Sequence, residues 1–359
     1  MLQATGSFAE TIKAQETEAD QPIPTLSIAG IRAAAARICP HVHATPVLTC
    51  SALDDMSGGR QVFFKCELFQ KTGSFKVRGA CNAVLLAPDG CRDIVTHSSG
   101  NHAQQAIAYA ARVRGVNAHV VMPVNSASVK VAAVRGYGAS ITLCENTKSG
   151  RENAAAAVVA RLPNSTLVHA YNDPRVQCGQ GTVGLEMIQQ VKELTAGENL
   201  DAIVVPVGGG GLISGVATAA KALCPGIRVI GAEPEIAADA FRSKQSGELC
   251  GHDCEGMPAT IADGLRTTLG SNTWPVVRDA VDEIVTVPEA EIRRWMRVIY
   301  ERMKLVIEPS AAVGVAALMS PRVKGMPTEM KRVGVVLCGG NVDVATLQDL
   351  LAGARVTPE

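Results

Sequence analysis

Residues 204–220 read VVPVGGGGLISGVATAA, a β-branched apolar run followed by four consecutive glycines and a helical pattern. This layout predicts one strand–helix step of an α/β fold with parallel strands. Successive glycines let backbone N–H groups close around an anion, and the helix that follows adds the positive end of its dipole. A plain turn needs only one or two glycines. We therefore expect this glycine loop, Gly208, Gly209, Gly210 and Gly211, to bind a phosphate group.

The spacing of the glycine loop argues against two common nucleotide sites. Ile213 and Ser214 stand where the dinucleotide fingerprint places its third glycine, and the loop has no Gly-Lys-Ser/Thr as a P-loop would. The phosphate therefore belongs to something other than NAD or a P-loop nucleotide.

Short apolar runs alternate with helical stretches on both sides of the glycine loop. Runs typical of strands include QVFFKCEL (61–68), DIVTHSS (93–99), AHVVMP (118–123), SITLCE (140–145) and RVGVVLCGG (332–340). The helical stretches between them predict βαβ units with right-handed crossovers. Because no linker or repeat is visible, we expect any two domains to exchange chain.

The composition favours a small-molecule partner. Lys+Arg 34 equals Asp+Glu 34, so no net field attracts nucleic acid or an anionic membrane. Aromatic residues are 3%, too few for a base-stacking surface. Residues 1–25 have no apolar signal core and no arginine, and we expect a mobile N-terminal tail. Pro206 and the glycine loop argue against a membrane span in residues 202–220.

The cysteines predict a reducing, cytoplasmic location, because the spacing of the eleven cysteines does not resemble that of a disulfide framework. Cys250, His252 and Cys254 form one tight group, CGHDC. A structural zinc site usually needs a second ligand pair, which is not evident, so we do not expect zinc there.

A second anion loop follows another predicted strand. THSSGNHAQQ places Ser98, Ser99, Gly100, Asn101 and His102 at the start of a helix, where amides can bind a carboxylate. A helix cap would explain one such residue. The whole group favours a ligand site.

One lysine lies in an apolar setting. In GSFKVRGA, Lys76 follows Phe75, and Arg78 is two residues further on. A surface lysine with a packed stem is one interpretation. The other is an amine whose proton affinity is lowered by burial and by the neighbouring positive charge, so that it can attack a carbonyl. An amine of the second kind, together with a phosphate loop, a carboxylate loop and a third strand end at Cys338, predicts pyridoxal phosphate as cofactor and an amino acid as substrate.

Several blocks together resemble the pyridoxal-phosphate enzymes of fold type II, in the group of serine racemases and serine/threonine dehydratases. They are KTGSFKVRGA, THSSGNH, VVPVGGGGLISG, IADGLRTTLGSNTWPVVRD, ERMKLVIEPSAAVGVAAL and LCGGNVD. The resemblance implies a tryptophan synthase β-like α/β fold with two open, twisted, mostly parallel sheets flanked by helices. It also implies a large cofactor-binding domain, residues 26–92 and 172–359, and a small mobile domain, residues 93–171.

The resemblance assigns roles at the cofactor. Lys76 would bind the cofactor aldehyde covalently, Phe75 would line the ring, and Asn101 would hydrogen-bond the phenolic oxygen. The four glycines of the glycine loop would hold the phosphate. Cys338 would lie by the pyridine nitrogen, where racemases have serine and some dehydratases have cysteine.

The resemblance also assigns substrate and cation residues. The substrate carboxylate would face Ser98, Ser99, Asn101 and His102, with Arg151 approaching in the closed form. Ser99 would be the second catalytic acid/base. Glu233, the carbonyl of Ala237 and Asp239 would hold Mg²⁺, Ca²⁺ or Mn²⁺, because hard oxygen ligands suit these ions; without the resemblance the two carboxylates would be taken for a solvated loop.

The implied activity is interconversion of L- and D-serine, accompanied by β-elimination of serine to pyruvate and ammonia. A dehydratase of L-serine, L-threonine or 3-hydroxyaspartate without significant racemisation is the alternative within this chemistry. A non-catalytic phosphate- or nucleotide-binding protein is the alternative outside it. The resemblance further implies a homodimer and ATP as an allosteric activator at the subunit interface.

Overall fold

The computed structural model describes residues 25–97, 100–124, 126, 128–253, 256–327 and 329–352. Helices and strands alternate along the chain. The first are α1 (Ile28–Ile38), β1 (Val47–Leu48), α2 (Ser51–Met56), β2 (Gln61–Cys66), α3 (Lys76–Leu85) and β3 (Asp93–His97). Next come a π-helical stretch (His102–Ile107), α4 (Ala108–Arg114), β4 (Asn117–Pro123), α5 (Ser128–Gly136), β5 (Ser140–Cys144), α6 (Lys148–Arg161), β6 (Ser165–Leu167) and α7 (Pro174–Leu194). The last are β7 (Ala202–Pro206), α8 (Gly211–Leu223), β8 (Arg228–Pro234), α9 (Asp239–Ser246), α10 (Trp274–Ala280), β9 (Glu283–Val287), α11 (Glu289–Met303), α12 (Pro309–Leu318), α13 (Pro321–Lys324), β10 (Arg332–Leu337) and α14 (Val344–Ala352).

The strands form two sheets. One has six strands in the order β1-β2-β10-β7-β8-β9, and the other has four in the order β5-β4-β3-β6. All neighbours are parallel except β1 and β2, which confirms the predicted mostly parallel sheets. Strand β10 lies between two strands that precede it by more than a hundred residues, pairing Val333 with both Val62 and Ala202.

The glycine loop lies at the carboxyl end of β7 in the middle of the larger sheet. Every residue of β7 is buried, in keeping with a parallel strand covered by helices on both faces. The adjacent strand β10 ends just before Cys338, so the glycine loop and this cysteine meet at one edge of the sheet. All four strands of the smaller sheet fall within residues 93–167, and the proposed limits of the small domain, 93 and 171, stay a prediction.

A buried ion network fixes α3 against β2 and α7. The Arg78 guanidinium is fully buried and donates through Nε to Glu67 at 2.8 Å and through Nη1 to Glu186 at 2.7 Å. The equally buried Lys65 ammonium donates to Glu186 at 2.8 Å and to the Thr45 carbonyl at 2.7 Å. Two carboxylates therefore compensate two cations, which is the condition under which buried charges are tolerated.

Helices α7 and α8 cross with their backbones nearly in contact. A Cβ atom on Gly215 of α8 would lie 2.4 Å from the carbonyl oxygen of Gln177 and 2.5 Å from the amide nitrogen of Gly181 in α7. Because α8 starts at the glycine loop, this crossing also fixes the position of the loop. Among the described residues, no helix is both long enough and apolar enough to cross a bilayer.

We expect Gly215→Ala to destabilise the protein by about 1–3 kcal/mol, because the added methyl group meets backbone atoms that cannot rotate away. The control is Gly226→Ala, since a Cβ there meets nothing within 4 Å. Urea unfolding of both variants measures the difference. Equal midpoints for the two variants would contradict the close helix crossing.

Candidate active site

Lys76 lies at the start of α3, where it lines a cavity that the glycine loop and Cys338 also line. The Lys76 Nζ atom is 5.0 Å from the centroid of the Phe75 ring. The side chain stays partly accessible through the cavity, yet the protein surrounds its amine. Burial lowers the pKa of Lys76 from 10.5 to about 8, and the nearby Cys338 and Glu308 oppose this shift.

The two causes predicted for the lowered proton affinity of Lys76 have different outcomes. The effect of burial is confirmed. The predicted contribution from Arg78 is wrong, because its guanidinium is paired with Glu67 and Glu186 and is not among the groups that shift the pKa of Lys76.

The glycine loop forms a tight cradle on the cavity wall. A Cβ on Gly209 would lie 2.4 Å from the Tyr171 ring, and one on Gly208 would lie 3.0 Å from the Leu265 backbone. Gly210 has a φ of +86°, which side-chain-bearing residues rarely adopt, and it caps the N-terminus of α8. The cradle therefore exposes backbone rather than side chains, at the helix end that favours an anion.

Cys338 faces the same cavity from the end of β10. Burial raises the pKa of its thiol well above 9, and the carboxylate of Glu308 adds to this shift. The thiol is therefore neutral at physiological pH. The amide nitrogen of Phe75 donates to the Cys338 carbonyl at 3.1 Å, so the lysine segment and this strand end are held together.

Asn101 is held by two residues from distant parts of the chain. Its Nδ2 donates to Glu308 at 2.9 Å, and its Oδ1 accepts from Asn341 Nδ2 at 3.0 Å. The same Asn341 amide also donates to the Thr72 carbonyl at 2.9 Å. This network connects the start of the π-helical stretch to the edge of the larger sheet.

The cavity has a volume of about 330 Å³, within the range of small-molecule sites. Sequence reasoning named many of the residues that line it: Phe75, Lys76, Asn101, Arg151, Gly208, Gly209, Gly210, Gly211 and Cys338. Ser98 and Ser99 lie outside the described residues, and so does the side chain of His102.

Sequence reasoning missed several other lining residues: His97, His169, Tyr171, His252 and Glu308. The rings of His97, His169 and Tyr171 stack edge to face, with centroids 5.2 and 4.6 Å apart. Burial raises the pKa of Tyr171 to about 12. Glu308 stands inside the ERMKLVIEP block that carried the resemblance, which is the one signal that pointed to it.

The proposed cation residues are buried, and Asp239 lies next to His252, which lines the cavity. The Glu233 carboxylate accepts from the amides of Ala240 and Phe241, both at 3.0 Å, and the Asp239 carboxylate accepts from the Leu269 amide at 2.8 Å. Burial raises the pKa of Asp239 to about 6 and also raises that of Glu233, to which the charge of Asp239 contributes. Two buried neighbouring carboxylates fit a cation. Among the described residues, however, no three His, Cys, Asp or Glu side chains are arranged as a metal site.

The residues that line the cavity fit pyridoxal phosphate. A glycine cradle without room for a Cβ suits a phosphate, a lysine with a lowered pKa suits an aldehyde, and a neutral thiol suits a pyridine nitrogen that carries no proton. The fold and the site thus define an enzyme that uses this cofactor. The family model "Pyridoxal-phosphate dependent enzyme" matches residues 38–339, and the chain belongs to this family.

Within the family, the chain is similar to serine racemases over almost its whole length. It is 47% identical to serine racemase of Arabidopsis thaliana over 344 residues, which cover 94% of this chain and 100% of the relative. The crystal structure of serine racemase from Dictyostelium discoideum superposes with a TM-score of 0.82 at 44% identity, covering 89% of this chain and 100% of that one. The T.th. threonine deaminase superposes with a TM-score of 0.81 at 41% identity, covering 88% of this chain and 99% of that one.

These comparisons confirm the predicted fold type II and the dependence on pyridoxal phosphate. They also confirm that the chain is an enzyme of the racemase and ammonia-lyase type. The alternative of a non-catalytic phosphate-binding protein is thereby set aside.

The lowered pKa of Lys76 predicts how the cofactor attaches. Only the neutral amine attacks an aldehyde, and the neutral fraction falls about tenfold for each pH unit below the pKa. After removal of the cofactor, we expect the rate of reaction with pyridoxal phosphate to rise with pH and to level off above about 8. Stopped-flow absorbance measures this rate. A rate that still climbs at pH 10, as for an ordinary lysine, would contradict the lowered pKa.

Proposed function

We propose that this chain is a pyridoxal-phosphate-dependent racemase that interconverts L- and D-serine and also eliminates water from serine, giving pyruvate and ammonia. The observation that carries the proposal is one cavity lined by the Lys76 amine, the glycine loop and Cys338. Similarity to serine racemases over almost the whole chain supports serine as the substrate.

Residues at three strand ends would each bind a different part of the cofactor. The glycine loop would bind the phosphate through backbone amides at the start of α8. Phe75 would pack along the ring, and Asn101, fixed by Glu308 and Asn341, would hydrogen-bond the phenolic oxygen. Cys338, as a neutral thiol, would face the pyridine nitrogen.

When bound, the cofactor supplies an electron sink that makes the Cα proton of an amino acid removable at neutral pH. Lys76, with a pKa of about 8, carries an amine that can take this proton on one face. One base that returns its own proton restores the original hand, so racemisation requires a second donor on the opposite face. We assign that role to Ser99, on the basis of the resemblance.

Substrate binding would fall to the second anion loop and to Arg151. The loop residues Ser98, Ser99, Asn101 and His102 would face the substrate carboxylate. Arg151 lines the cavity, and its Nη2 lies 3.8 Å from the sulfur of Met257, which also lines it.

Elimination competes with racemisation because both begin with loss of the Cα proton. Expulsion of the β-hydroxyl then leads to pyruvate and ammonia. A dehydratase of serine, threonine or 3-hydroxyaspartate with little racemisation is the second candidate, and the similarity to threonine deaminase favours it. The ratio of D-serine to pyruvate formed from L-serine separates the two.

Further proposals concern regulation and assembly. Glu233, the Ala237 carbonyl and Asp239 would bind a divalent cation, either Mg²⁺, Ca²⁺ or Mn²⁺. A homodimer, activation by ATP, movement of residues 93–171 and a cytoplasmic location also stay proposals. They derive from the resemblance, apart from the location, which derives from cysteine usage.

Lys76→Ala tests the covalent attachment. We expect borohydride reduction followed by mass spectrometry to find the cofactor on the Lys76 peptide of the wild-type protein and on no peptide of the variant, with both activities lost. Lys71→Ala is the matched control, because Lys71 is an exposed lysine of the same segment. A reduced adduct on another lysine would contradict the assignment of Lys76 as the lysine that binds the cofactor.

Ser99→Ala tests the second proton donor. We expect formation of D-serine to fall by about 10²–10⁴-fold, the usual contribution of a placed acid or base, while pyruvate still forms from L-serine. Pyruvate release is the internal control for folding and cofactor binding. Racemisation at the wild-type rate would contradict the role of Ser99.

A further inference from the structure

One pair of polar atoms beside the cavity lies buried with nothing to satisfy it. Asp239 Oδ1 and His252 Nδ1 are 3.5 Å apart, with no solvent exposure at the Asp239 side chain and 9% at that of His252. Within the described part of the chain, neither atom has a hydrogen-bond partner. Burying unpaired polar atoms is costly, so either a proton on Nδ1 or a bound cation belongs between them.

The tautomer of His252 makes its Nδ1 a lone-pair donor. His252 Nε2 lies 3.0 Å from the Arg266 carbonyl oxygen, and a carbonyl only accepts hydrogen bonds. Nε2 therefore carries the proton in the neutral ring. Nδ1 then presents a lone pair toward an Asp239 oxygen, which presents a lone pair in return. Two facing lone pairs are the arrangement of two ligands of one cation.

The distance between the two atoms, 3.5 Å, is slightly longer than the spacing of two ligands on one metal ion and needs only a small adjustment to reach it. Two ligands bound at about 2.1 Å lie about 3.0–3.4 Å apart for bond angles between octahedral and tetrahedral. The other oxygen of Asp239 is held by the Leu269 amide, so the carboxylate is already oriented.

Arg242 holds the loop that carries His252. Its guanidinium donates to the Gly251 carbonyl at 2.6 Å and pairs with the Asp253 carboxylate at 2.9 Å, on either side of the histidine. The guanidinium of Arg242 is therefore engaged with the loop itself.

We propose that His252 Nδ1 and Asp239 Oδ1 bind one divalent cation, which makes this a mixed nitrogen–oxygen site that favours Mn²⁺ over Mg²⁺ and Ca²⁺. The proposal rests on the cation site of Glu233, Ala237 and Asp239 proposed above. An imidazole ligand raises affinity for transition-metal ions, whereas Mg²⁺ and Ca²⁺ prefer oxygen alone.

The remaining ligands do not have to be side chains. No three His, Cys, Asp or Glu side chains within the described ranges are arranged as a metal site. A small dication commonly keeps several waters and uses one or two carboxylates. The Ala237 carbonyl and water complete such a shell, and each Glu233 oxygen, with one amide bond, keeps a second lone pair for it.

The consequence for the enzyme is a link between the cation and the catalytic cavity. His252, Gly256 and Met257 line that cavity, and the Met257 sulfur contacts Arg151. A cation on His252 fixes this wall of the cavity in place. The sequence motif CGHDC thus contributes its histidine to a cation site.

Two substitutions separate ligation from simple loop support. His252→Gln keeps a donor in reach of the Arg266 carbonyl but has no ligand at the δ position. His252→Asn has an amide oxygen at the δ position but loses the donor to Arg266. The protein is the holoenzyme, and the probe is Mn²⁺, which avoids the cysteines because it prefers oxygen and nitrogen ligands.

Pulsed electron paramagnetic resonance of the Mn²⁺-loaded holoenzyme reads ligation directly, without an activity assay. We expect a directly bound ¹⁴N coupling in the wild-type protein and none in either variant. By calorimetry, we expect His252→Gln to weaken Mn²⁺ binding about tenfold or more. His252→Asn is expected to bind Ca²⁺ as the wild-type protein does, because it presents oxygen at that position.

The outcomes distinguish the two proposals. Bound Mn²⁺ without a ¹⁴N coupling, or wild-type Mn²⁺ affinity in His252→Gln, overturns the role of His252 and leaves the oxygen site standing. If His252→Asn binds Ca²⁺ and Mn²⁺ more weakly than the wild-type protein while His252→Gln binds both ions with wild-type affinity, the histidine only supports the loop. No stoichiometric binding of Mn²⁺ or Ca²⁺ to the wild-type protein overturns both proposals.

Discussion

The buried pairing of Arg78 with Glu67 and Glu186 is the constraint on which the active site depends. Arg78 lies two residues after Lys76 in the first turn of α3, so the carboxylates that hold it also fix the lysine. A free guanidinium at this position would add a second charge to the lysine's surroundings. Because it is fully compensated, the pKa of Lys76 is set by burial, and the amine is neutral only a little above physiological pH.

The same compensation of charge governs the rest of the cavity. The thiol of Cys338 is neutral, and the carboxylate of Glu308 is occupied by amide donors from Asn101 and Asn341. A cofactor ring bound in such a site would meet a neutral thiol rather than an ion at its nitrogen, if Cys338 lies there as proposed. The buried carboxyls of Asp239 and Glu233, whose pKa values burial raises, are not among the residues that line this cavity.

Much of this site could be predicted from local sequence, because its parts are local. The glycine loop, Lys76 and Cys338 each stand at a strand–helix junction that a short window shows, and parallel strands bring such junctions to one edge. The contact between Asn101 and Glu308 joins residues 207 apart, and no local pattern encodes it. Tyr171 was missed for the same reason: its role in the cradle depends on packing against Gly209 rather than on a motif. The paired state of Arg78 was missed because Glu186 stands on α7, more than a hundred residues away.

The position of β10 has a consequence for how the chain folds during synthesis. The smaller sheet uses a continuous segment, so its strands can pair as soon as residue 167 has left the ribosome. The larger sheet has a gap between β2 and β7 that only residues 332–337 fill. Until they emerge, two apolar strand edges stay unpaired, which is the condition that exposes a nascent chain to aggregation and to chaperone binding.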